Sequence, residues 1–247
     1  MRENVPQIEI TELIESELRQ ISLPSLVRPP VSQFEEATEA LVHWGMKKYA
    51  FSSLIHVRTV LAGVMDLAKS GNQPTMLIVG RHVFEWAMHS SYVAASLDES
   101  LKTADLKKAW ALLLEVNTGN SWVRNHGRNY LNIADSGDVP SSVRISKLVK
   151  AYEKFQLDSY GSEDVQDSYG YLSEHAHANA MCFQPYLRVS DAEVNFVDAP
   201  KDSLMPGVLH IAVINWLMLT HKILTLAKED SVRSTLHSVI RKVVAMS

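Results

Sequence analysis

Apolar residues recur at spacings of three and four along most of this chain, which is the pattern of α-helices that bury one face. Proline, glycine and small polar residues interrupt the pattern, and such residues cap or end helices. Ser32 with Glu35 three residues later is typical of a helix N-terminus, and Pro74 is typical of a first turn. The pattern predicts helices over residues 7–21, 32–69, 74–97, 103–116, 141–156, 162–181, 206–228 and 232–244. We therefore expect an all-α protein, a helical bundle.

Three features modify this simple bundle. Residues 183–197 contain two short stretches that alternate in polarity or favour β-residues, and they predict a small β-hairpin insertion. Prolines that follow the first helix prevent it from continuing, so residues 1–31 form an N-terminal helix and proline-containing linker. Residues 32–247 form the helical bundle domain. A bend is expected near Gly45, inside the longest predicted helix.

Composition limits the class of protein. Hydrophobic residues make up 46% of the chain and charged residues 21%, as in globular proteins with a substantial core. The net charge of -4 provides no overall attraction to nucleic acid, which leaves only a local basic patch for that purpose. The single cysteine, Cys182, excludes an internal disulfide and fits a cytoplasmic location. The longest apolar run, at residues 208–219, is shorter than the roughly 20 residues of a membrane span, so no membrane association is expected.

A polar stripe runs along the helix predicted at residues 74–97. Arg81, Glu85 and His89 repeat every four residues, a spacing at which helical positions drift by only about 40° per step. The rest of this helix is largely apolar, so the stripe faces either solvent or other polar side chains inside the bundle. If it faces solvent, Arg81 and Glu85 form an ordinary surface salt bridge.

A second polar stripe consists of Tyr169, Ser173 and His177 at the same spacing on a later helix. Small residues beside it permit the close approach of another helix. We therefore expect the two stripes to converge, with Arg81 paired to Glu85 and with Ser173 or His177 in contact with that pair.

Further polar residues are expected to border this site. His175 precedes His177 by two residues, and the turn-rich segment 120–139 carries Arg124 and His126. The candidate catalytic residues are thus Arg81, Glu85, Ser173 and His177, and the candidate supporting residues are His89, Tyr169, His175, Arg124 and His126.

Two short motifs resemble those of a group of uncharacterised bacterial helical proteins. They are Arg81–Glu85, with the apolar stretch that leads into it, and Tyr171–His177. In that group an Arg-x-x-x-Glu helix is followed by a helix with Tyr, Ser and His. More distantly, the chain resembles the HEPN superfamily of helical bundles, which includes metal-independent ribonucleases of toxin and phage-defence systems. Arg81 and His89 are spaced more widely than the Arg-x(4–6)-His motif of that superfamily.

The resemblance implies RNA as the partner and a reaction without a metal or other cofactor. In this enzyme hypothesis the guanidinium of Arg81 binds a phosphate, and the imidazole of His177 takes a proton from a 2′-hydroxyl. Glu85 then orients one of these two side chains.

Two other hypotheses stay open from the sequence alone. In one, the polar residues form a buried structural network, and the protein is an interaction module that contacts other proteins through its terminal helices, with the apolar helix at 206–228 as the candidate contact of a dimer. In the other, the bundle binds a metal through Glu85, His89 and His177, with His210 and His221 as further ligands.

Overall fold

The computed structural model of the protein describes residues 7–27, 29, 37–118, 143–161, 165–176, 187–189, 193–196 and 205–246. Within these residues the chain forms eight helices and two short strands. They are α1 (Gln7–Arg19), α2 (Glu39–Lys69), α3 (Gln73–Lys102), α4 (Leu106–Thr118), α5 (Ile145–Tyr160), α6 (Val165–Ala176), β1 (Leu187–Val189), β2 (Val194–Phe196), α7 (Met205–Leu226) and α8 (Asp230–Met246). The prediction of an all-α helical bundle is confirmed.

Helix boundaries follow local capping chemistry. The side chain of Thr38 accepts a hydrogen bond from the backbone N–H of Leu41 at 3.3 Å and so caps α2. Asn72 caps α3 in the same way, and a proline occupies the first turn of that helix. The helix predicted over 32–69 therefore begins only at Glu39, because Thr38 is extended and Ala37 before it has a φ of 46°. The expected cap at residues 32–35 lies outside the described residues.

The central element is α3, which packs against α2, α4, α5, α6 and α7. Most of its circumference is apolar and buried, as the sequence pattern indicated. Its buried hydrophobic residues are Met76, Leu77, Val83, Phe84, Ala87, Met88, Val93, Ala94 and Leu97. Serines of α3 are buried among them, at Ser90, Ser91 and Ser100, whereas Arg81, His82 and Glu85 are at least partly exposed.

The N-terminal helix α1 lies against α2, α7 and α8. Ile10, Ile14 and Leu18 on its apolar face are buried in the same core as the bundle. Two ion pairs border this contact, one between Lys69 and Glu12 at 2.7 Å and one between Lys242 and Glu17 at 2.8 Å. The segment before the proline-containing linker thus adds a layer to the bundle.

The two strands pair antiparallel, with Leu187 opposite Phe196 and Val189 opposite Val194. They fall inside residues 183–197. At three residues each, they are a minor element of an otherwise helical protein.

Two core helices are unusually apolar. By length and composition alone, α2 and the part of α7 from Gly207 to Leu226 could cross a membrane, a test that core helices also pass. The two helices contact each other, and Trp216 of α7 donates a hydrogen bond to Ser53 of α2 at 2.6 Å with both side chains fully buried. About half of each apolar stretch, 44% in α2 and 56% in α7, is buried inside the bundle.

Candidate functional site

The two predicted stripes meet where α3 crosses α6. Arg81 Nε donates to Glu85 Oε1 at 2.7 Å, so the predicted pairing of these residues is confirmed. Arg81 Nη2 also donates to Tyr169 Oη at 3.0 Å, and the guanidinium lies 5.4 Å from the centroid of the same ring. The guanidinium is thereby held by a carboxylate on α3 and by a phenol on α6.

This cluster is accessible to solvent. The side chain of Arg81 is 23% exposed and that of Glu85 is 32% exposed, so the pair belongs to neither the dry core nor the open surface. Partial burial by itself lowers the pKa of Arg81, but the hydrogen bonds and charges of Glu85 and Tyr169 outweigh it and raise that pKa above its usual value. Arg81 is therefore a permanent cation that a dissolved ligand can reach.

Ser173 lies one turn after Tyr169 on α6. Its Oγ is buried and has no hydrogen-bond partner among the described residues, so the contact of α6 with Arg81 is made by Tyr169 and not by Ser173. His177 lies outside the described residues, as do Arg124 and His126. For His175 only the backbone, within α6, is described.

His89 leaves the stripe that it was expected to share with Arg81 and Glu85. Its Nδ1 lies 3.1 Å from Tyr49 Oη on α2, and the two rings stack at 5.8 Å. His89 is two four-residue steps from Arg81, and each step rotates the position by about 40°, so its side chain points toward α2 and away from α6. No described contact joins His89 to Arg81, which leaves its predicted supporting role there without support. Burial lowers the pKa of His89 to about 4, which keeps the imidazole neutral at physiological pH.

Three residues beside the stripe were missed. Glu85 Oε2 lies 3.8 Å from Nδ1 of His82, which belongs to the same helix. The ring of His82 lies 6.3 Å from that of His56 on α2, and His56 packs on Trp86 at 5.4 Å. The i, i+4 pair of His82 and Trp86 was a visible signal in the sequence, but nothing in it indicated that His56 would be their neighbour.

The described part of the chain contains no ligand set for the metal-binding hypothesis, since no three of its His, Cys, Asp or Glu side chains are placed to share an ion. His89 is turned toward Tyr49, and the ring of His221 lies 5.6 Å from that of His237 on α8. Burial lowers the pKa of His210, whose Nδ1 is buried without a hydrogen-bond partner among those same residues. These histidines are thus dispersed over the fold.

Comparison with protein-family models, with curated proteins and with solved structures found no match to this chain. The function must therefore be argued from the chemistry of the cluster itself. The fold and the cluster define a helical bundle in which α3 presents a fixed cation, a carboxylate and an imidazole to solvent. Such a set can bind an anion and move a proton.

Proposed function

We propose that the protein is a HEPN-like, metal-independent ribonuclease of a toxin or phage-defence system, in which Arg81 binds a phosphate group of RNA. The observation that carries the proposal is the fixed orientation of Arg81. Its Nε is bonded to Glu85 and its Nη2 to Tyr169, while part of the guanidinium remains open to solvent. A planar guanidinium held in this way is preorganised to donate two parallel hydrogen bonds to a phosphate.

Unused donors around Arg81 support an anionic ligand. A guanidinium has several N–H groups, and the described contacts of Arg81 use only those on Nε and Nη2. Tyr169 Oη accepts from Arg81, so its own O–H is available to donate. Arg81 on α3 and Tyr169 on α6, which contact each other, thus both keep donors for a phosphate, and such donors can stabilise its charge in a transition state.

Cleavage of single-stranded RNA by the purified protein in the presence of EDTA tests the proposal. We expect wild type to cleave and Arg81→Ala to be slower by about 100-fold or more, as for loss of a group that stabilises transition-state charge. Arg81→Lys should fail as well, because lysine keeps the charge but loses the planar fork. The melting temperature should fall by only about 2–4 °C in either variant, since a half-exposed ion pair contributes about 1 kcal/mol or less.

Arg144→Ala is the matched control, because Arg144 is an exposed arginine that precedes α5 and makes no side-chain capping bond. It should retain wild-type cleavage. Equal activity of wild type and Arg81→Ala would contradict the proposal.

The structural-network alternative also has one observation in its favour. Both described hydrogen bonds of Arg81 go to protein groups, and one of them joins α3 to α6. On that alternative Arg81→Ala leaves Glu85 and Tyr169 without partners and destabilises the fold by about 2–3 kcal/mol. A large fall in stability, together with a wild type that cleaves no RNA, would support it.

A further inference from the structure

Two exposed histidines lie beside the Arg81 cluster and make none of its hydrogen bonds. His82 is 59% exposed on α3, and His56 is exposed on the facing surface of α2. Their rings meet edge to face at a centroid distance of 6.3 Å. Two imidazoles side by side on a surface can act on one bound group.

Glu85 joins these histidines to Arg81. Its Oε1 accepts from Arg81 Nε at 2.7 Å, and its Oε2 lies 3.8 Å from His82 Nδ1. A continuous polar line therefore crosses α3, from Tyr169 on α6 through Arg81 and Glu85 to His82, and ends at His56 on α2. The cation and the two imidazoles lie on the two sides of one carboxylate.

We propose that His56 and His82 are a catalytic proton-transfer pair and act on a phosphodiester of an RNA strand that Arg81 also binds. This inference rests on the proposed ribonuclease function and replaces His177 as the source of the base. Glu85 is the positioning residue, since it contacts both Arg81 and His82.

The reaction balances with these groups alone. Neutral His56 takes the proton from the 2′-hydroxyl while O2′ forms a bond to phosphorus. The bond from phosphorus to O5′ breaks, and protonated His82 gives its proton to O5′. The products are a 2′,3′-cyclic phosphate and a 5′-hydroxyl, and exchange of protons with water restores both imidazoles.

The surroundings of the pair fit these roles. Desolvation by burial, followed by the charge of His82, lowers the pKa of His56, which favours its neutral form. The ring of His56 packs on Trp86 and is thereby oriented. Glu85 on α3 contacts His82 and links the pair to Arg81 on the same helix and, through Arg81, to Tyr169 on α6. The His89–Tyr49 contact behind Trp86 is uncharged.

The test measures cleavage of a short single-stranded RNA in EDTA between pH 4.5 and pH 9, with chromatographic identification of the products. Wild type should show a bell-shaped pH profile and release the 2′,3′-cyclic phosphate. His56→Ala and His82→Ala should each lose about 100-fold or more of the rate, and His56→Gln and His82→Gln should each lose one limb of the bell. Glu85→Gln should lower kcat more than it raises KM.

A second histidine pair in the same protein is the control. His237 on α8 lies beside His221 on α7, and it is also exposed. His237→Ala should cleave like wild type, and all exposed-histidine variants should melt within a few degrees of it. Full activity of His56→Ala and His82→Ala, with activity lost in His177→Ala, would overturn the inference while the ribonuclease function stands. A wild type that cleaves no RNA overturns the ribonuclease function and the inference together.

Discussion

Burial decides the charge of His89, which is enclosed between Tyr49 and Trp86. Desolvation lowers its pKa to about 4 because a charged imidazole loses hydration that no nearby acid replaces. A neutral imidazole with its proton on Nε2 accepts at Nδ1 from Tyr49 Oη, which in turn lies 3.3 Å from Ser90 Oγ. Burial likewise raises the pKa of Tyr49, so this contact is uncharged throughout the physiological range.

Acid should weaken the fold through His89. The unfolded imidazole titrates near its ordinary pKa of 6.5 and the folded one near 4, so between these values the unfolded state binds more protons. Stability contributed by the neutral imidazole is therefore complete above about pH 6.5 and falls as the pH drops toward 4, by up to about 3 kcal/mol. Urea unfolding at pH 7.5 and pH 5 measures this loss.

His89→Gln is the comparison for that measurement, because glutamine keeps an acceptor for Tyr49 and does not titrate. Its stability should change less than that of wild type between the two pH values. A pH dependence identical to wild type would show that other groups cause it.

At the level of helices, Gly45 explains how α2 approaches α4. The helix runs without interruption from Glu39 to Lys69, and a Cβ built at Gly45 would lie 3.0 Å from both Leu113 Cδ1 and a ring carbon of Trp110 on α4. Gly45, where a bend was expected, therefore serves instead to let α2 and α4 pack closely. Gly63 in the same helix has no such neighbour, since a Cβ there meets nothing within 4 Å.

Substitution by alanine should change the free energy of unfolding in opposite directions at these two glycines. Gly63→Ala should stabilise the protein by about 0.5–1 kcal/mol, because alanine loses less entropy than glycine in a helix. Gly45→Ala has the same intrinsic gain but must push Leu113 and Trp110 aside, which costs about 1–3 kcal/mol, so the net effect should be destabilising. Thermal and urea unfolding of both variants measure these changes in stability. A stabilised Gly45→Ala would contradict the prediction, because it would show that Leu113 and Trp110 of α4 move aside at little cost.

For the whole molecule, Asn215 of α7 joins two points of α5. Its Nδ2 donates to Tyr152 Oη at 2.7 Å, and its Oδ1 accepts from Tyr160 Oη at 2.9 Å. Burial raises the pKa of Tyr152 to about 12, so the phenol keeps its proton. Asn215 itself is fully buried, so these bonds satisfy an amide that would otherwise be unpaired inside the core.

Asn215→Ala should lower the free energy of unfolding by about 1–3 kcal/mol, because it leaves the buried Tyr152 hydroxyl without one of its partners. Tyr160→Phe should cost less, about 1 kcal/mol or below, since the hydroxyl that it removes belongs to a half-exposed ring. Urea unfolding of the two variants gives the comparison. A larger effect for Tyr160→Phe would contradict the assignment of Asn215 as the buried centre of this contact.

The sequence by itself determined which segments are helical and that Arg81 pairs with Glu85, because both depend on neighbours within one or two turns. Only the tertiary structure decided what those helices present to one another. It placed His89 against Tyr49 and not at Arg81, and it brought His56 beside His82. Such contacts join residues far apart in the chain, and they depend on the rotation and crossing of packed helices, which the local pattern of side chains leaves undetermined.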